Sequence, residues 1–154
     1  MDEDDDFYSI PSYRLQLVRE SDVVYPRSSV QEHSQAIQVA QAYLEDRDSE
    51  HLAVMLLDGM NQLIGVAIVA SGGISGCQVT LRDVLKFAIV GRASAFILAH
   101  NHPSGNVTPS PDDIAFTEKM KAGAELIGIP LVDHVIISSG LKSGGMSFLN
   151  NGLL

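Results

Sequence analysis

Only one cysteine, Cys77, occurs in 154 residues, so no disulfide can close within the chain and a reducing cytoplasm suits its composition. Cys77 itself reads as a small buried or loop residue, because no partner that would make it a nucleophile lies nearby. Long hydrophobic runs are also missing. Although 45% of the residues are hydrophobic, no eighteen consecutive ones are apolar, which argues for one soluble domain with a core and against a membrane span. Basic residues are scarce: ten Lys plus Arg stand against nineteen Asp plus Glu, for a net charge of −9. The acidic tip Asp2-Glu-Asp-Asp-Asp6 accounts for part of this, but the remainder is still −4, so the basic stripe that holds nucleic acid phosphates is absent and direct nucleic-acid binding is not expected. An export signal would begin with Lys or Arg followed by an apolar stretch. The acidic tip is neither, and residues 1–10 read as a solvated, disordered tail ahead of a domain over 11–154.

Patterning then divides the domain. Tyr13-Arg-Leu-Gln-Leu-Val-Arg19 alternates as a half-buried strand does. Ser28 or Ser29 can cap a helix whose inner face is Val30, Ile37, Ala40 and Leu44 and which ends near residues 45–48. The apolar runs 51–57 and 63–69 flank Asp58-Gly59, a hairpin signal. Ser71 to Gly76 reads as a loop. Thr80 with Asp83 suits a capping box for a helix that turns Val84, Leu85, Ala88 and Ile89 inward and stops at Gly91. Ala95 to Ala99 is a buried strand. Ser110 at the cap and Pro111 at the first helical position open a helix with inner stripe Phe116, Met120, Gly123 and Ile127, ended by Gly128 and Pro130. Strands over 131–137 and 146–149 complete an α/β chain in which strands and helices alternate after residue 50, as in a helix-covered sheet.

The chemistry gathers where the 95–99 strand meets its loop. In extended backbone, residues i and i+2 project to one side, so His100 and His102 can share a target, and Asp113 follows at the next helix start. Two imidazoles and a carboxylate leave one position free on a tetrahedral metal, as catalytic zinc sites do. A His-x-His pair alone is a weak signal, and Ser110-Pro-Asp-Asp113 reads equally well as a capped helix N-terminus.

The full string HNHPSGNVTPSPDD, His100 to Asp113, resembles the JAMM metalloprotease signature His-x-His-Pro followed by Ser-x-x-Asp. With Asp133-His134 and the Ser147-Phe148 to Leu154 ending, the chain from about residue 12 resembles the RadC-type branch of the MPN/JAB family. The resemblance implies a three-layer α/β/α fold with a mixed central sheet, similar to cytidine deaminases. It implies one zinc ion held by His100, His102 and Asp113, with Ser110 helping to polarise the attacked carbonyl. The activity implied is hydrolysis of a peptide or isopeptide by zinc-bound water. RadC-type proteins often add an N-terminal helix-hairpin-helix region, for which a chain this short has no room, so the JAB module alone is expected.

One departure stands out. Active JAMM enzymes use a glutamate as general base, and aligning it with the strand Gln62 to Val69 puts Ala67 at its position, with no acidic side chain between Asp58 and Asp83. Losing such a base typically forfeits about 10²- to 10⁴-fold in rate. The alternative to a hydrolase is therefore a catalytically silent MPN-type interaction module in a DNA-repair or mobile-element setting. Asp83 reads as a capping acid and Asp58 as a turn former. His134, beside Asp133, reads either as a residue that orients a ligand from behind or as a satisfied core histidine. Asn101 is expected to hydrogen-bond the loop, Gly105 to take a backbone conformation closed to other residues, and His33 and His51 to lie at the surface or an edge.

Overall fold

The computed structural model describes residues 9–25, 29–72, 74, 79–139 and 144–154. Most of the expected acidic tail, half of the 71–76 loop and Cys77 fall outside these. Among the described residues there are five strands, β1 (His51–Leu57), β2 (Leu63–Ser71), β3 (Ala95–His102), β4 (Leu131–Ser138) and β5 (Gly145–Ser147), and three helices, α1 (His33–Leu44), α2 (Leu81–Val90) and α3 (Pro111–Ile127). The sheet order is β2-β1-β3-β4-β5. β3 and β4 are parallel, joined through α3, while the other three pairings are antiparallel. No helix of the described residues is long and apolar enough to cross a membrane.

Period-2 alternation sorts the strand residues into two layers. Ala53, Met55 and Leu57 of β1 and Ala95, Ile97 and Ala99 of β3 pack with Ala36, Val39, Ala40 and Leu44 of α1. Leu52, Val54 and Leu56, with Phe96 and Leu98, pack with Val84, Leu85 and Ala88 of α2 and Phe116, Met120 and Ala124 of α3. The architecture is the mixed-sheet α/β/α sandwich, with α1 on one face and α2 and α3 on the other.

Several local expectations are corrected. Tyr13–Arg19 forms no strand; its residues are exposed, because alternation supplies an amphipathic ribbon but not the neighbouring backbone that a ladder needs. α1 begins at His33 with Glu32 at its cap rather than at Ser29, and Ser28 lies outside the described residues. Ser29 instead bridges to Gln62, and the Val30 N–H bonds the Asn61 carbonyl, so Val30 is buried outside the helix. The hairpin turn spans Asp58 to Gln62, where Asp58 Oδ1 accepts from the N–H groups of Met60 (2.8 Å) and Gln62 (2.9 Å), and Asn61 rather than Gly59 takes positive φ. Ile89 is 54% exposed and Ile127 39%, so the inner stripes run through Ala88 and Ala124. Gly91 ends α2 with φ of −74°, so it is required for space: a Cβ there would lie 2.6 Å from Leu56 Cδ1 and 2.7 Å from the Phe87 carbonyl. The last strand stops at Ser147, and Phe148 leaves it to stack on His134 with ring centroids 4.6 Å apart.

Candidate metal centre

β3 runs three residues beyond its apolar segment, which places His100 and His102 on the same side as Phe96 and Leu98, facing α3. Asp113 arrives from the first turn of α3. Its backbone N–H donates to Ser110 Oγ (3.1 Å), and its Oδ2 accepts from the Ser110 N–H (2.8 Å), closing the capping box. The same carboxylate lies 3.5 Å from His100 Nε2 through Oδ1 and 3.6 Å from His102 Nε2 through Oδ2. Helix cap and candidate ligand are thus one residue in both capacities.

A fourth group joins them that the sequence reading missed. Glu50 Oε1 stands 3.9 Å from His100 Nε2 and 3.8 Å from His102 Nε2. Ligand atoms of Glu50, His100, His102 and Asp113 all lie within 4.8 Å of one another. The cause is register: β1 is antiparallel to β3 with Leu52 opposite His100, and continuing two residues beyond Leu52, one past the strand end, brings Glu50 across from His102. Alternation gives Glu50 the face of Leu52, and its carbonyl is tied to the Gly72 N–H at 2.7 Å. The sheet also shows why Ala67 is the wrong place to seek a carboxylate. Ala67 pairs with Val54 at the level of Leu98, two strands from the histidines, and packs into the apolar layer.

Hydrogen bonds orient both rings. His102 Nδ1 lies 2.6 Å from the Asn106 carbonyl, which can only accept, so Nδ1 carries the proton and Nε2 keeps its lone pair. His100 is wholly buried, with Nδ1 2.7 Å from His134 Nε2. The two Nε2 atoms are 2.9 Å apart. Two ring nitrogens and two carboxylates converge on one point, a donor set that could hold a cation. For zinc bonds of about 2.0 Å, tetrahedral ligand atoms are about 3.3 Å apart. The separations of 2.9, 3.5 and 3.6 Å bracket that value, so the residues present fit a divalent ion.

The electrostatics follow from this crowding. The Asp113 side chain beside His102 raises that ring's pKa above 6.5 against the opposing effect of burial. Burial pushes the Asp113 carboxyl up, yet the two imidazoles and the Ser110 N–H outweigh it and hold the group well below the usual carboxylate range. Burial drives the His134 pKa down, keeping that ring neutral.

The remaining sequence candidates separate cleanly. His134 stands behind the candidate ligand His100, with Nε2 2.7 Å from its Nδ1. Asp133 does not: it accepts from Ser147 Oγ (2.6 Å) and from the backbone N–H groups of His134 (2.7 Å) and Leu149 (3.0 Å), which anchors the C-terminal turn. Asn101 faces the opposite layer and bonds His51, Ser49 and Ser139 rather than the loop that follows it, and Gly105 has φ of +81°. Asp83 caps α2 through the Thr80 N–H (2.9 Å) and hydroxyl (2.7 Å). His33 is exposed, whereas His51 is buried, with Nδ1 2.8 Å from the Ser49 carbonyl.

Comparison with known proteins agrees with this geometry. Residues 30–153 match the family model for the RadC-like JAB domain. A UPF0758 protein of Trichormus variabilis is 44% identical over 94 residues, covering 61% of this chain and 39% of that protein. One from Actinobacillus pleuropneumoniae is 40% identical over 114 residues (74% and 52%), and one from Trichodesmium erythraeum is 41% identical over 121 (77% and 49%). The chain thus spans about half the length or less of these relatives. With the fold, the cluster and the family match in agreement, the chain belongs to the RadC-like JAB domain family.

Proposed function

We propose that the chain is a zinc-dependent hydrolase of amide or isopeptide bonds, with Glu50 as its general base. The observation that carries this reading is the Glu50 carboxylate on the rim of a His-His-Asp cluster, slightly farther from the imidazole nitrogens than Asp113 is. His100, His102 and Asp113 would hold the ion, and the nitrogen and oxygen donor set suits zinc. When bound, zinc supplies Lewis acidity that brings the pKa of water near 7 and polarises a carbonyl. Glu50 is half-buried, within reach of solvent, and takes the proton of the attacking water and returns it to the leaving amine. Ser110 accepts its bond from Asp113 N through Oγ, which leaves its hydroxyl proton for the carbonyl oxygen as negative charge develops there.

The acidic chain repels phosphates, which favours a peptide or isopeptide over a nucleic-acid substrate. A reducing cytoplasm suits the single cysteine. The silent interaction module drew its support from the missing carboxylate at Ala67, and Glu50 removes that support.

A panel of peptide and isopeptide substrates tests the reading, with wild type beside Glu50→Gln and Ala67→Glu. Wild type is expected to turn over a member of the panel, and Glu50→Gln to keep its zinc while losing about 10²- to 10⁴-fold in rate. Turnover that appears only in Ala67→Glu, or that survives intact in Glu50→Gln, would overturn it.

A further inference from the structure

His134 is buried, carries chemistry, and has no part in the mechanism above. It lies on β4 between His100 and α3, with its ring wholly inaccessible and stacked on Phe148. Its Nε2 is 2.7 Å from His100 Nδ1, and its Nδ1 is 2.6 Å from Thr117 Oγ1. Thr117 is also wholly buried, a hydroxyl on a helix stripe otherwise made of Phe116, Met120 and Ala124. Its Oγ1 is 2.6 Å from the backbone carbonyl of Asp113.

Proton counting leaves one arrangement. The Asp113 carbonyl can only accept, so it takes the single Thr117 hydroxyl proton. Thr117 Oγ1 must then accept from His134, which puts the His134 proton on Nδ1. His134 Nε2 is left as an acceptor, so His100 donates through Nδ1, and His100 Nε2 keeps its lone pair toward Asp113 and His102. We propose that Thr117 and His134 are positioning residues, forming a relay that starts at the main chain of Asp113 and fixes His100 in the tautomer able to bind a divalent cation. Asp113 then acts on the centre twice: its carboxylate faces the cluster, and its carbonyl sets the proton of the histidine opposite. A buried threonine bonded to the carbonyl four residues back is common in helices and needs no histidine. What distinguishes the relay is its second bond, to a ring that touches a candidate ligand.

The inference rests on reading the cluster as a metal centre, and two measurements keep the failures apart. In the metal-free protein, ¹⁵N–¹H correlation spectra of the imidazoles are expected to place the His134 and His100 protons on Nδ1 in wild type and in Thr117→Ser. Thr117→Val, of nearly the same shape, removes the acceptor and is expected to move the His134 proton to Nε2. In chelator competition with zinc alone, Thr117→Val is expected to bind about 10- to 100-fold more weakly than wild type, with Thr117→Ser restoring most of the loss. His134→Phe is expected to weaken zinc similarly. A purely structural role would lower thermal stability without moving the tautomer. A His134 proton on Nε2 in wild type, equal zinc affinity in wild type and Thr117→Val, or equal losses in Thr117→Val and Thr117→Ser would each overturn the relay. Failure of wild type to bind zinc would instead sink the metal-centre reading, with the spectra still deciding the relay.

Discussion

His100 and Asn101 are neighbours on one strand, both wholly buried, and they differ in what their hydrogen bonds leave over. Asn101 faces the α1 layer and spends itself on structure. Its Oδ1 accepts from the His51 N–H (2.7 Å), and its Nδ2 donates to the Ser49 carbonyl and to Ser139 Oγ, both at 2.9 Å. His100 faces the α3 layer and is held from behind through Nδ1, while its Nε2 points into a cluster shared with His102, Asp113 and Glu50. The lesson is that burial of a polar group does not identify a site. A buried group with every bond directed into the fold is accounted for by structure; one held from behind with an atom aimed at other groups able to hold a metal marks a candidate site.

Breaking the two sides should give opposite signatures. The largest effect on folding is expected from Asn101→Ala, which orphans the His51 N–H and takes away one of the two bonds to the Ser49 carbonyl. Its cost is about 1–3 kcal/mol or more in denaturant unfolding of the metal-free protein, since each buried unpaired group costs about that much. Zinc binding should survive in the fraction that folds. His102→Ala should do the reverse, losing zinc while metal-free stability changes far less, because this ring sits nearer solvent.

A pH series sharpens the contrast further. The His102 pKa is raised by Asp113, so below the raised value the ring holds a proton that zinc must displace. Zinc affinity in wild type is therefore expected to fall as pH drops through that value, which lies above 6.5. Metal-free stability has the opposite sign. A raised folded-state pKa stabilises fully below the unfolded value near 6.5, and the contribution is lost as pH rises through the folded value. Opposed slopes in the two titrations, with the stability slope reduced in His102→Ala, are the expected result. The smallest effect serves as a control: Ile89→Ala on the exposed face of α2 should change unfolding free energy by no more than about 0.5 kcal/mol.

Much of this could be read from the residues alone, and the misses have physical causes. The apolar run 95–99, the Ser110-Pro111 start of α3 and the Thr80–Asp83 box are local signals, and the structure bears them out. The convergence of His100, His102 and Asp113 was legible because it needs only one strand, one loop and one helix start. Glu50 was not legible in that way. It lies fifty residues upstream, before a strand and outside any short motif, and reaches the cluster only through the antiparallel pairing of β1 with β3. Sheet order is a long-range property, so seeking a carboxylate along β2 went to a strand that does not touch β3. Asp133 adjoins His134 on β4, so alternation turns it to the other layer, the face of Val135 and Ile137, where it meets Ser147 Oγ instead of His100. Tyr13–Arg19 shows the converse, a strand-like pattern with no partner strand among the described residues.

Zinc stoichiometry by elemental analysis, after reconstitution and removal of loosely bound metal, tests the central claim most directly. Wild type and Glu50→Gln should each retain about one equivalent, and Asp113→Ala close to none, since the proposed function has three of the four clustered groups holding the ion and the fourth working beside it. Equal zinc in all three proteins, or a wild type that retains none, would contradict the account.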